Sequence, residues 1–277
     1  MHPHWLALGA IFLWATLAPL GVALSHVPPF LLTGLALLIG SVIALPLSGW
    51  RVSRWKVAPT TLALGVYGLF GFHLLLFMAL RNAPAVEANL VNYLWPLLMV
   101  VLAPLMLPGV RFKLVHLMAA LMGFAGAAIA ILGDKPPEPG FSLGYLSAAA
   151  SALVWASYSL LSKRVAAFPT AAVGSFAALS GALSLVCHLL LERPTSISVD
   201  DWALIAILGL GPLGSAFFLW DAALKRGDPR TIGLLAFLTP LLSTLLLLLS
   251  RGQTPSPSIV LAAALVASAA AIGTRSS

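Results

Sequence analysis

The chain has 277 residues, 60% of them hydrophobic and 8% charged, with a mean hydropathy of +1.02. Soluble domains carry about 25% charged residues, so this composition excludes a water-soluble core and makes lipid the solvent. The formal net charge of +7 is scattered through short connections between apolar runs, which excludes a nucleic-acid partner because no basic face forms.

Ten apolar runs reach the length of about 20 residues that a membrane-spanning helix needs. They are 5–24, 30–48, 57–80, 85–106, 112–132, 142–162, 170–190, 202–224, 230–249 and 257–273. The first lacks a basic leader and nine more follow, so it reads as a span and not as a signal peptide. The connections are short and rich in turn formers, such as "SHVPP" at 25–29, "GDKPPEPG" at 133–140 and "KRGDP" at 225–229. Alternation with the period of a barrel strand is absent, so the spans are expected to be helices. Cys187 is the only cysteine, so no internal disulfide forms.

Orientation follows from the basic residues. With a cytoplasmic N-terminus, the inner connections hold Arg51, Arg54, Lys56, Arg111, Lys113, Lys163, Arg164, Lys225, Arg226, Arg230 and Arg275. The outer ones hold Arg81, Lys135, Arg193 and Arg251, so 11 face 4 of the 15 in all. That bias predicts both termini inside. Trp5, Trp50, Trp55 and Trp202 fall at span ends, where an aromatic belt belongs.

The two halves resemble each other. "LWAT" at 13–16 pairs with "VWAS" at 154–157, and 79–98 pairs with 223–242 without gaps. In the second pair Arg81 meets Lys225, Tyr93 meets Phe237 and Pro96 meets Pro240. Five spans per half is an odd number, so the second half enters from the opposite side. An all-α bundle of ten helices in a 5+5 inverted repeat is expected, with units at 1–134 and 141–277. Secondary transporters are commonly built this way, with the substrate site at the interface of the units.

On these segments, and on "L-x-x-[YF]-L-x-P-L" in spans four and nine, the chain resembles the drug/metabolite transporter superfamily with its paired EamA-type domains. "NYLWPLL" at 92–98 makes it similar in particular to the bacterial YddG-type exporters of aromatic amino acids. The resemblance implies a basket of helices around a central cavity, export from the cytoplasm, and a multi-pass protein of the bacterial inner membrane. A monomer suffices for that activity. The small-residue stripes, among them Gly65, Gly68 and Gly71, Gly209, Gly211 and Gly214, and Gly123 and Gly126 against span ten, serve either helix packing or a dimer face.

Few polar groups lie deep in the spans. Glu87 and Asp221 sit near span ends, where acids reach an interface. No carboxylate occupies a midplane, and His73 is the best deep titratable candidate, either as a site group or as a packed neutral histidine. Deep tryptophan and tyrosine each carry a polar hydrogen that needs a partner. Trp14 and Trp155 hold corresponding positions and are expected to meet in the central space. Phe70, Phe77, Phe217, Trp220 and Phe237 add rings that are either packing or lining. The expected substrate-binding set is Trp14, His73, Phe77, Asn92, Tyr93, Trp95, Trp155, Tyr158, Phe217 and Phe237. Pro96 and Pro240 are expected hinges, because each frees the carbonyl four residues earlier, Asn92 and Ala236. Substrate rings would stack on the indoles, the ammonium would meet aromatic faces or freed carbonyls, and His73, Asn92 and Tyr158 would serve the carboxylate.

The function this predicts is export of a small amphipathic metabolite, foremost an aromatic amino acid, without cofactor or metal. Other neutral amino acids or small drugs are the alternative. A cationic drug would favour a deep Glu and a nucleotide sugar a deep Lys or Arg, and neither is present. A channel would line its path with polar rings. A membrane-embedded enzyme would need a Ser/His or Asp pair at depth.

Overall fold

The computed structural model describes residues 2–133, 140 and 142–275. The connection at 134–139, which holds Lys135, lies outside the described residues, as does the seam between the two expected units. Among the described residues the structure is helical, with no strand.

Ten long helices run in chain order: α1 (Pro3–Ala23), α2 (Pro29–Leu47), α3 (Pro59–Asn82), α4 (Ala85–Met106), α5 (Leu114–Leu132), α6 (Gly144–Leu161), α7 (Thr170–Leu191), α8 (Val199–Arg226), α9 (Pro229–Ser250) and α10 (Pro257–Arg275). All but α6 are long and apolar enough to cross a membrane, which makes nine such helices among the described residues. The sixth run differs from the expectation because α6 carries Ser147, Ser151, Ser157 and Ser159 along with Trp155 and two tyrosines. Its second half is almost wholly buried among other helices, so it is shielded from lipid and has less need to be apolar.

Proline marks where helices begin. Pro3, Pro29, Pro59, Pro229 and Pro257 stand at first positions, where the missing N–H costs no hydrogen bond. Helix α8 starts instead with a capping box, in which Ser198 and Asp201 satisfy each other's backbone N–H.

Six of the helices are interrupted. Helix α1 breaks at Thr16, whose hydroxyl donates to the Leu13 carbonyl at 2.7 Å, and α2 breaks at Val42 and Ile43. Helices α4 and α9 break at Tyr93–Leu94 and Ala236–Phe237, just before Pro96 and Pro240. Helices α3 and α8 carry π turns at Tyr67–Gly71 and Gly211–Ser215. The π turns are 144 residues apart (211 less 67), the same offset that aligns 79–98 with 223–242. One expectation is corrected: the Ala236 carbonyl opposite Pro240 is not free, because the Thr239 N–H bonds to it at 3.0 Å. The break tightens into a short turn that finds the carbonyl a local donor.

Helix α5 packs on α10, α2 on α7, α3 on α6, α1 on α8 and α4 on α9. Advancing every label by five maps this set of pairs onto itself. Glycines permit the closest approaches. A methyl group at Gly40 of α2 would come within 2.9 Å of backbone atoms of Gly209, Leu213 and Gly214 of α8. Gly126 lies against Ala262 and Val266 of α10, while Gly71 has only Val154 nearby. Trp5, Trp50 and Trp202 are exposed at helix ends, and the Trp55 indole donates to Ser48 at 3.2 Å.

Polar groups tie the two ends of the bundle. At one end the Glu192 carboxylate, at the close of α7, accepts from the first N–H groups of α2 at Phe30 (3.0 Å) and Leu31 (3.2 Å). It also pairs with Arg81 of α3 at 3.0 Å and His188 at 2.9 Å. At the other end Lys163 donates to the Leu224 and Gly227 carbonyls at the close of α8. Arg230 holds Asp228 and the Arg111 carbonyl. Burial pushes the Asp228 carboxyl up, and its hydrogen bonds from Arg230 more than offset this, leaving it below the usual carboxylate range. Glu192 is the node on which three helices converge, and its side chain is 2% exposed. Replacing it, Glu192→Ala, is expected to cost about 1–3 kcal/mol, the range for leaving buried donors such as the Phe30 and Leu31 N–H groups unsatisfied. A thermal melt in detergent checks this, and an unchanged midpoint would remove the node from the account of stability.

Candidate functional site

A cavity of about 470 Å³ lies inside the helical bundle. That falls within the roughly 300–1,000 Å³ of small-molecule sites. Its walls come from the second half of α1, the first half of α2, the second half of α3, the first half of α4, Trp155 of α6, the middle of α8 and the second half of α9. It therefore sits toward the end of the bundle that carries the connections 24–28, 83–84, 192–198 and 251–256.

Eight of the ten expected residues line it: Trp14, His73, Phe77, Asn92, Tyr93, Trp95, Trp155 and Phe217. Tyr158 and Phe237 lie off the lining. Tyr158 packs behind Trp155 with ring centroids 5.3 Å apart and covers Gly68. Phe237 is fully buried against Gly123 in a separate apolar cluster with α5 and α10. Pro96 and Pro240 sit just past the breaks in α4 and α9, beside lining residues Trp95 and Thr239.

Aromatic rings make the floor. Trp14 meets Trp155 at 5.8 Å, Trp95 at 6.4 Å and Trp220 at 5.1 Å between ring centroids. Trp155 also contacts Phe72 and Phe217 at 5.4 and 5.6 Å. The contacts are tilted or edge-on, the arrangements that ring quadrupoles favour. Trp220 closes the floor from below, its indole N–H held by Ser159 at 3.1 Å. Beyond it Asp221 pairs with Lys225 at 2.6 Å, at the far end of α8 and out of the cavity.

The remaining lining combines leucines with a few polar side chains, and it is uncharged. It holds no Asp, Glu, Lys or Arg among the described residues. His73 places Nδ1 2.6 Å from the Leu69 carbonyl, a contact that requires a hydrogen on Nδ1. In the neutral imidazole the other ring nitrogen, Nε2, then carries a lone pair. Asn89, Asn92 and Tyr93 follow the i, i+3, i+4 spacing of one helix face. Thr239 and Ser243 add hydroxyls from α9, and the buried Thr239 Oγ1 has no hydrogen-bond partner.

Phe72, Thr33, Asn89, Thr239 and Ser243 line the cavity although sequence reasoning did not select them. Asn89 was open to detection, three residues before Asn92 on the same face. The others were not, because serine, threonine and phenylalanine occur along every wall of such a bundle.

The single cysteine makes the cavity testable. In a Cys187→Ser background, Ser243→Cys is expected to react with a small water-soluble thiol reagent. Ser159→Cys, at a fully buried position, is expected to stay unlabelled. Equal labelling of the two would contradict the cavity's extent.

The pattern of the EamA-like transporter family matches residues 2–132 and again 142–274. The aromatic amino acid exporter YddG of Ancylobacter novellus is 42% identical over 272 residues, covering 96% of this chain and 94% of that protein. The probable amino-acid metabolite efflux pump of Salmonella typhimurium is 27% identical, covering 90% of this chain and 87% of that one. A crystal structure superposes with a TM-score of 0.92 at 40% identity, over 99% of this chain and 96% of the other. With the family pattern present twice and spanning nearly its whole length, the chain belongs to the EamA-like transporter family.

Proposed function

We propose that the protein is a secondary transporter of the bacterial inner membrane that exports aromatic amino acids by alternating access. The observation that carries the reading is the uncharged cavity with a floor of tryptophans. A flat apolar ring gains contact there, at about 0.5–1.5 kcal/mol per ring pair beyond area burial. Such gains are modest and suit a carrier that must release its cargo. The Ancylobacter relative, named as an aromatic amino acid exporter, supports the same substrate class.

The arrangement proposed is ten spanning helices in two inverted units of five, 1–134 and 141–277, with both termini cytoplasmic. The equal offset of the π turns, the helix pairs that survive a shift of five and the doubled family pattern support it. In this orientation the cavity opens outward, and the indoles of Trp14, Trp95, Trp155 and Trp220 close the path to the cytoplasm. This is the state that has released its substrate. Reopening inward separates the tryptophans and closes the outer end, with the breaks beside Pro96 and Pro240 and the two π turns as the points that bend. The substrate is bound by the eight lining residues of the expected set, with Phe72 added. No covalent step is assigned to any of them, and one copy of the chain contains the whole site.

Counterflow in proteoliposomes, with a panel of amino acids and with or without a pH gradient, tests the reading. Saturable exchange of phenylalanine, tyrosine and tryptophan is expected. Trp95→Ala should raise the half-saturating concentration roughly 3- to 10-fold, the loss of one or more ring contacts. Flux that does not saturate would indicate a channel. Saturable exchange confined to other neutral amino acids would instead favour the broader chemistry in the Salmonella relative's name. A membrane-impermeant thiol reagent applied to intact cells should reach Ser243→Cys, and failure to do so would reverse the orientation.

A further inference from the structure

One polar wall of the cavity is built by α4 and α9, two of the broken helices, and one of its groups is held from behind. Asn92 is 4% exposed and lines the cavity. Its Oδ1 accepts from the Ser151 hydroxyl of α6 at 2.8 Å. Ser151 is fully buried and lies outside the lining. Its one hydrogen is shared between Asn92 Oδ1 and the Ala148 carbonyl at 2.7 Å in a three-centre bond. The carboxamide oxygen is thereby turned toward α6, and the Nδ2 group, with two donor hydrogens and no partner among the described residues, is left toward the cavity.

We propose that Ser151 fixes the Asn92 carboxamide with its NH₂ facing the cavity, so that Asn92 binds the carboxylate of a transported amino acid and Ser151 acts as a positioning residue. The proposal rests on the amino acid export reading above and adds how the zwitterion is oriented. The complementary group is on α3, where the His73 Nε2 lone pair accepts from the ammonium. The carboxylate therefore points to α4 and the ammonium to α3, with the ring over the tryptophan floor. A neutral amide donor suits a carrier, because it binds a carboxylate more weakly than a bidentate arginine does and lets it go. With no charged side chain in the wall among the described residues, the Asn92 orientation decides which end of the zwitterion this wall accepts.

The experiment is competition against labelled phenylalanine uptake in proteoliposomes. The competitors are unlabelled phenylalanine and phenethylamine, which lacks the carboxylate. Wild type is expected to prefer phenylalanine roughly 10- to 100-fold, the value of a hydrogen bond to a charged group. Asn92→Leu and Ser151→Ala should bring the two competitors to within about 3-fold of each other, as the loss of that bond requires. Ser151→Thr keeps the hydroxyl and should keep the preference, which a purely structural role for Ser151 does not predict. Asn92→Asp presents a carboxylate to a carboxylate and should reverse the preference toward phenethylamine.

Two results would overturn the proposal. One is an Asn92→Asp variant that favours phenylalanine as strongly as wild type, which would place the carboxamide oxygen toward the cavity. The other is an unchanged preference in Ser151→Ala. Only variants that melt like wild type are compared, and should Ser151→Ala fail to fold, Asn92→Asp decides alone. A wild-type protein with no exchange of any aromatic amino acid would defeat the export reading itself, an outcome separate from both.

Discussion

The contact between Trp14 and Trp155, 5.8 Å between ring centroids, is the interaction on which the rest of this structure depends. The two indoles come from α1 and α6. Their meeting gives the cavity a floor and separates its two ends. Trp95, Trp220, Phe72 and Phe217 gather around this pair, so the largest apolar cluster of the protein is also the wall of its site. Packing and transport are therefore not assigned to different regions. A ring removed from the floor loses packing and opens a passage at once.

A lipid solvent supplies the second constraint. Every backbone N–H and C=O inside the bilayer needs a partner within the protein. Helices satisfy this, yet a transporter also has to bend. The interruptions reconcile the two demands. At Ala236 the break is repaired locally by the Thr239 N–H, and at Thr16 by the side-chain hydroxyl on the Leu13 carbonyl. Helices α3 and α8 use π turns, which widen the helix by one residue without opening it to lipid. The six irregular helices, α1, α2, α3, α4, α8 and α9, are also the ones that contribute lining residues together with α6. The unbroken α5, α7 and α10 take no part in the lining. Regular helices support the frame, and irregular ones shape the cavity.

Charge is kept at the ends for the same reason. Glu192 joins α2, α3 and α7 at one end, while Lys163, Asp228 and Arg230 join the connections at the other. The cavity between holds a few polar side chains and, among the described residues, no charged one. The cost of a buried carboxylate is met at Glu192 by four donors, which makes it a structural group.

The sequence by itself determined the solvent, the helical class, where several helices start, the two breaks beside Pro96 and Pro240, and the wealth of deep aromatic residues. These follow from composition, proline positions and run lengths, which are local properties. The pairing of "LWAT" with "VWAS" was enough to bring Trp14 and Trp155 toward one place. Which rings face the cavity was decided only by the tertiary structure. Phe237 aligns with Tyr93, yet it turns into Gly123 of α5 while Tyr93 lines the cavity, because rotation of a helix is set by its neighbours and not by its own residues. Glu192, Ser151 and Thr239 gain their roles in the same way. Glu192 and Ser151 bond across to other helices, 162 residues away for Glu192 and Phe30, and Thr239 is brought to the cavity wall by packing, so no local pattern records these placements.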